Sequence, residues 1–265
     1  MALYQAILAY DGSGFVGFQR QAQGRTVQGE VEKALQRLGW SERAILYAGR
    51  TDSGVHARGQ VIAFHLAWQH PAEALQKALN AHLPPDVAVQ AVRPAPADFH
   101  PRYAAVARRY VYYLYAAPTR EPFWRRYAWR VWPAPVLEKL QQAAALFPGR
   151  KDFAALGTPP NPHGTTVRTV HKAAWVQLGP RAWAFDVVAD AFLYRMVRRM
   201  VALQVAVAQG RMAFAALQAA LESPPANPLQ GLAPPQGLFL EAVCYDASDL
   251  RQTLTAVPRW LGGTP

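Results

Sequence analysis

The densest group of chemically capable side chains in the sequence is the run Arg50-Thr51-Asp52-Ser53-Gly54-Val55-His56. Asp52 offers a carboxylate, with Arg50 two residues before it and His56 four residues after it. Asp, Ser and Gly are also ordinary turn formers, so the residue types alone fit a structural turn as well. No second carboxylate accompanies Asp52 in the run, whereas glycosidic hydrolysis normally uses two. A single carboxylate acting on a nucleoside's glycosidic bond therefore suggests rearrangement rather than hydrolysis. His56 has no further ligands at helical or turn spacing, so no metal is expected.

Three other groupings could bind a substrate. Along 102–115, Arg102, Tyr103, Arg108, Arg109, Tyr110, Tyr112, Tyr113 and Tyr115 interleave guanidinium groups with flat rings. Alternation puts Tyr110, Tyr112 and Leu114 on one face and Val111, Tyr113 and Tyr115 on the other. Such a strand is ordinarily core, but the neighbouring arginines also suit stacking of an unpaired base while its phosphates are held. Arg195, Arg198 and Arg199 fall on one arc of an expected helix, either as a solvated basic face or as a seat for a carboxylate or phosphate. Gly12-Ser13-Gly14-Phe15-Val16-Gly17 fits G-x-G-x-x-G, yet 18–25 has no helical apolar period, so a glycine-rich turn is preferred over a dinucleotide site. Gln19, Arg20 and Gln21 follow that turn and are available to touch a ligand.

The chain has 265 residues, 51% of them hydrophobic, enough for a sizeable core. Lys+Arg 28 against Asp+Glu 17 gives +11, most of it arginine, which points to a polyanionic partner. The single Cys244 excludes a disulfide framework and a C-x-x-C pair, so cytoplasmic residence is expected. No window approaches a membrane span, no targeting segment is visible, and no P-loop is present.

These groups must be positioned by regular elements. Leu3 to Tyr10 reads as a strand; Thr26 caps a helix that runs until Gly39; Ala44 to Ala48 and Gln60 to Leu66 are strands; Pro71 opens a helix to Ala81; Val87 to Val92 is a strand. The order β-α-β-β-α-β then recurs: strand 103–116, helix 135–147, strands 167–178 and 183–189, helix 191–208, and strand 237–245, with an extra helix at 212–221. The expected fold is α+β, with two ferredoxin-like βαββαβ halves, 1–95 and 96–265, meeting near Pro94-Ala95-Pro96. They would form one antiparallel sheet with helices on one face and an RNA-binding cleft on the other. Ala155 to Thr166, rich in proline, is expected to be a mobile loop.

Taken together, Tyr10-Asp11-Gly12, Gly17-Phe18-Gln19-Arg20-Gln21, Thr26-Val27-Gln28-Gly29, Gly49 to Ala57, Phe99-His100-Pro101-Arg102 and Ala107-Arg108-Arg109-Tyr110 resemble the TruA family of tRNA pseudouridine synthases. Val167-Arg168-Thr169, Ala191 to Arg198 and Ala233 to Leu238 continue the match in the family's order. The resemblance implies that Asp52 is the catalytic carboxylate and that Tyr110 stacks on the target uracil, with Arg50 and Arg198 lining the site. Gln19, Arg20, His56, Arg109, Arg195 and Arg199 become candidate RNA contacts. It further implies uridine isomerisation at tRNA positions 38, 39 and 40, no cofactor or metal, and a homodimer with clefts shared between subunits. Two departures stand out: Phe18 where the family often has Trp, and Ala202 where Gly is common.

The chemistry fits these residues on physical grounds. The N1–C1′ bond breaks, the uracil turns, and C5 joins C1′ while the loose base is retained by stacking. The carboxylate either attacks C1′ or takes a sugar proton, and both routes require it ionised. A nearby guanidinium keeps a buried carboxylate charged, and Arg198 is the expected partner. The other reading of the same basic and aromatic features is a non-catalytic protein that binds structured RNA.

Overall fold

A computed structural model describes residues 1–159, 161 and 163–258. In chain order the strands are β1 (Ala2–Tyr10), β2 (Leu46–Tyr47), β3 (His56–Leu66), β4 (Val87–Pro94), β5 (Ala107–Ala116), β6 (Trp129–Val131), β7 (Gly149–Asp152), β8 (Val167–Gly179), β9 (Ala182–Ala189) and β10 (Leu238–Cys244). The helices are α1 (Val27–Gln36), α2 (Ala72–His82), α3 (Leu137–Ala144), α4 (Met196–Ala208), α5 (Phe214–Glu222) and α6 (Ala247–Thr255). Two compact units result, one of Met1–Val106 with Phe239–Asp246 and the other of Ala107–Leu238 with Ala247–Pro265.

In the first unit β1 is central, antiparallel to β3 on one side and to β4 on the other. β3 carries β2 antiparallel at Ile62 and Ala63, and β10 parallel at His56 and Ala57. The β1-α1-β2-β3-α2-β4 order and the β4-β1-β3-β2 neighbourhood are those of a ferredoxin-like unit. The ends follow from local chemistry. The Thr26 hydroxyl accepts from Gly29 N–H to start α1, and Gly39 at φ +88 ends the turn after it. Leu8, Leu35, Ile62, Leu75 and Phe64 close the core.

The second unit is built on β5-β9-β8-β7, antiparallel throughout, with β6 parallel to β5. Helices α3 and α4 pack on each other, and Leu140, Ala143, Met200 and Val201 on them are buried. A buried ion cluster lies on β9: Asp186, fully enclosed, accepts from Arg109 Nε at 2.8 Å and from Lys172 Nζ at 2.7 Å. Both cations also donate to the Ala256 carbonyl, and Lys172 to that of Leu254, so the C-terminal end of α6 is capped by two positive charges.

The structure departs from the sequence reading at several places. The strand expected from Tyr103 begins at Ala107, because Pro101–Ala104 turn and Ala104 N–H bonds to the His100 carbonyl. The helix expected from Ala191 begins at Met196, and β6, β7 and α6 are additional elements. The division near residue 95 differs from the compact units. Residues 96–106 stay with the first because Phe99 packs on Tyr245, whose hydroxyl donates to the Pro101 carbonyl, and Val106 N–H bonds to Cys244 O. Of the loop expected to be mobile, Ala154–Leu156 forms a 3-10 turn and Thr158 bridges Tyr194, while Pro160 and Pro162 lie outside the described residues. Among the described residues no helix is long and apolar enough to cross a membrane.

The ion cluster yields a stability test. Asp186→Asn leaves Arg109 and Lys172 facing each other without their shared anion, and breaking a buried pair this way costs about 3–5 kcal/mol. Equilibrium urea unfolding should show that loss as a lower midpoint at unchanged slope; an unaltered midpoint would mean the cluster contributes nothing net.

Candidate active site

Asp52 sits in an irregular segment between β2 and β3, and such a segment keeps one position only if its backbone polar groups find fixed partners. They find them in the glycine-rich stretch after β1, in β3 and within the turn itself. Phe18 N–H donates to the Thr51 carbonyl at 3.1 Å, Val55 N–H to the Asp52 carbonyl at 3.1 Å, and the Ser53 hydroxyl to the Phe15 carbonyl at 3.1 Å. Tyr10 Oη and Thr51 Oγ1 share a hydrogen bond of 2.8 Å, and Gln60 donates to the Gly49 carbonyl at 2.8 Å. Thr51 is buried and Asp52 half-buried, so the carboxylate stands at the rim of a backbone cradle.

The glycines of G-x-G-x-x-G are explained by this cradle. A Cβ on Gly12 would lie 2.0 Å from the Val55 carbonyl oxygen, and Gly17 has φ +114 with Thr51 O at 3.0 Å from where its Cβ would be. They let two backbones touch, which is the turn reading preferred from the sequence.

His56 opens β3 and is buried, stacked on Phe239 at 4.5 Å. Its Nδ1 accepts the Gly12 N–H at 3.0 Å. Asp11 Oδ1 also lies 3.2 Å from Nδ1. That oxygen also accepts from Ser13 N–H at 2.9 Å. His56 thus serves the turn, not an open RNA surface. Arg50 is exposed, its Nε donating to Tyr47 Oη at 3.2 Å. Gln19 is half-buried, and Arg20 is tied to the buried Glu32 at 2.7 Å, which leaves only part of its side chain to solvent.

In the second unit the tyrosine strand resolves into core plus one ring. Tyr112, Tyr113 and Tyr115 are buried as core, and Tyr110 is half-buried and edge-on to Phe192 at 5.1 Å. Arg109 faces the other way into the Asp186 cluster and is not available as an RNA contact. Arg198 and Arg199 lie in the first turn of α4, but Arg195 precedes it with φ 62, so the three do not share one helix face. Tyr194 N–H bonds to the Thr158 carbonyl, and this pairing holds 191–195 out of the helix. Arg195 is exposed over the Tyr194 ring at 4.7 Å.

Arg198 is buried, its Nε donating to the Ala233 carbonyl at 2.8 Å. Arg199 donates to the Leu156 and Tyr194 carbonyls; burial, then Arg195 and Arg198 beside it, lowers its pKa. Burial raises that of Tyr112 well above the usual phenol range, against a smaller opposing effect of Arg198. Tyr112 therefore stays protonated and donates to the Pro234 carbonyl at 2.8 Å. A Cβ on Gly237 would lie 2.6 Å from the Tyr112 ring, so the 233–237 segment is threaded between ring and arginine. The sequence placed Tyr112 among the candidate rings and Ala233–Leu238 in the family match, but nothing local showed that Tyr112 and Arg198 each hold a carbonyl of that segment.

The family model for tRNA pseudouridine synthase matches residues 6–104 and 143–246. A curated protein of Lactiplantibacillus plantarum called tRNA pseudouridine synthase A is 38% identical over 258 residues, covering 95% of this chain and 97% of its own. Proteins with the same description are 42% identical in Moorella thermoacetica, over 92% of this chain and 100% of theirs, and 41% identical in Methylacidiphilum infernorum, over 91% and 95%.

The cradle is tested by Gly12→Ala. The added methyl collides with backbone, a strain of roughly 1–3 kcal/mol, and the two segments must separate. Thermal unfolding should begin at lower temperature than for wild type, and Gly14→Ala, whose Cβ meets only side-chain atoms at 3.5 Å, should be tolerated better.

Proposed function

Since the chain belongs to the tRNA pseudouridine synthase family of isomerases, we propose that it converts uridine to pseudouridine at positions 38, 39 and 40 of the tRNA anticodon stem-loop, with Asp52 as its one catalytic carboxylate. The observation that supports Asp52 is its half-buried place on a turn whose neighbours are fixed by the backbone of 15–18 and by Tyr10. A reacting group needs that fixity, because a displacement of about 1 Å can cost about a hundredfold in rate.

The reaction balances without a cofactor. The N1–C1′ bond breaks, C5 forms a bond to C1′, and the proton lost from C5 is matched by one gained at N1. Asp52 meets the sugar, either by attack at C1′ or by removing a ribose proton. Tyr110 stacks on the detached uracil, and its hydroxyl assists removal of the C5 proton. Arg50 and Arg198 are the arginines proposed to line the site. Extruding the uridine costs a few kcal/mol, which phosphate contacts of a +11 protein offset. In the same proposal the enzyme works in the cytoplasm as a homodimer whose clefts are shared between subunits.

Unmodified tRNA incubated with wild type should gain pseudouridine at 38–40, read by mapping modified nucleotides, and Asp52→Asn should give none while still binding. Equal product from both would leave a non-catalytic RNA-binding role for Asp52. Tyr110→Phe should keep tRNA affinity and lose turnover by about 10²-fold or more, the scale of a lost general acid or base; full turnover would take the hydroxyl out of the chemistry and leave the ring.

A further inference from the structure

Beneath the Asp52 turn lies a row of three rings that the proposed chemistry does not use. Tyr10 packs on Phe18 with centroids 6.1 Å apart, and Phe18 on Tyr47 at 4.9 Å. Phe18 is fully buried between them. The two outer rings each carry a phenol oxygen, and each oxygen grips one of the two residues that precede Asp52: Tyr10 Oη holds Thr51 Oγ1 at 2.8 Å, and Tyr47 Oη accepts from Arg50 Nε at 3.2 Å. The middle ring contributes its backbone, Phe18 N–H to Thr51 O.

We propose that Tyr10 is a positioning residue for the isomerisation, fixing through Thr51 the direction in which Asp52 points, with Tyr47 doing the same more weakly for Arg50. The inference rests on the reading of Asp52 as the reacting group. Its argument is one of redundancy. The fold of the turn is already secured by main-chain bonds at Thr51 O and Asp52 O and by Ser53 on Phe15 O. The Tyr10–Thr51 bond adds no further tie between backbones; it joins two buried hydroxyls, one of them on the residue covalently attached to Asp52. What it removes is rotation of the 51–52 peptide about a carbonyl held at one end. The Tyr47–Arg50 bond is exposed and longer, so water competes for it and its effect is smaller.

The difference between aiming and folding can be measured. Tyr10→Phe and Thr51→Val each delete one partner of the bond while keeping the ring or the branched shape. Each should lower turnover on unmodified tRNA roughly tenfold with tRNA affinity close to wild type, and lower the thermal midpoint only by the modest amount that deleting one of two bonded buried hydroxyls brings. The double variant should be no slower than the worse single one, since both remove the same interaction. Thr51→Ser, which restores the hydroxyl, should recover most of the rate. Wild-type turnover in Tyr10→Phe, additive losses in the double variant, or a rate loss that runs parallel to lost affinity and melting temperature would each overturn the proposal. Asp52→Asn in the same series separates the two readings: if it turns over like wild type, the assignment of Asp52 fails whatever the tyrosine variants do.

Discussion

An irregular chain segment supplies few of its own hydrogen bonds, and the placement of Asp52 follows from that constraint. The residues between β2 and β3 have no ladder or helix, so their carbonyls at 49, 51 and 52 are satisfied by Gln60, Phe18 and Val55. To deliver Phe18 the chain must pass the turn closely enough that Gly12 touches the Val55 carbonyl, and to deliver Gln60 β3 must run directly on from the turn. β10 then fastens the start of β3, by parallel pairing at His56 and Ala57 and by Arg58 on Glu241. A carboxylate on an otherwise mobile loop is thereby made part of a sheet end.

The second unit solves a similar problem with charge. Tyr110 neighbours Arg109 on β5, and the two side chains point to opposite faces. Arg109 is anchored by Asp186 and by the Ala256 carbonyl just past α6, so the strand is pinned one residue before the ring proposed to stack on the base. The cluster is costly to desolvate and is offset only because two cations, one carboxylate and a helix C-terminus meet with short contacts. Pinning the strand on the Arg109 face holds Tyr110 on the opposite face, where its ring is half-buried against Phe192.

How much of this the sequence disclosed depended on whether the signal was local. Thr26 before an apolar 3.6 period announced α1, and the β-forming residues of 3–10 and the turn at 178–180 before 183–189 announced β1 and β9, because caps, periods and turns are properties of neighbouring residues. The start of α4 was misread because 191–195 is apolar and periodic; its departure from the helix is set by Thr158, which pairs with Tyr194 across the fold. β6 and β7 are too short to show alternation and exist by pairing with β5 and β8. At the site, Asp52 and Tyr110 could be picked out by residue type and by family motif. The partners of Arg109 could not, since Asp186 looks like any acid in a strand until the sheet brings Lys172 and Arg109 to it.

That contrast separates two kinds of arginine that composition counts as one. Arg109 and Arg198 are buried and hold structure, the first through a carboxylate and the second through the Ala233 carbonyl. Arg50, Arg102, Arg120, Arg125 and Arg195 are exposed, and charge on them is what a polyanion meets at a distance. A net charge of +11 therefore overstates the number of groups that greet the substrate, and it understates the constraint on the rest. A guanidinium bonded to a carbonyl inside the fold can serve a reacting nucleotide only as a fixed charge. A fixed charge has the advantage that nothing in its own surroundings must reorganise when a negative charge develops near it.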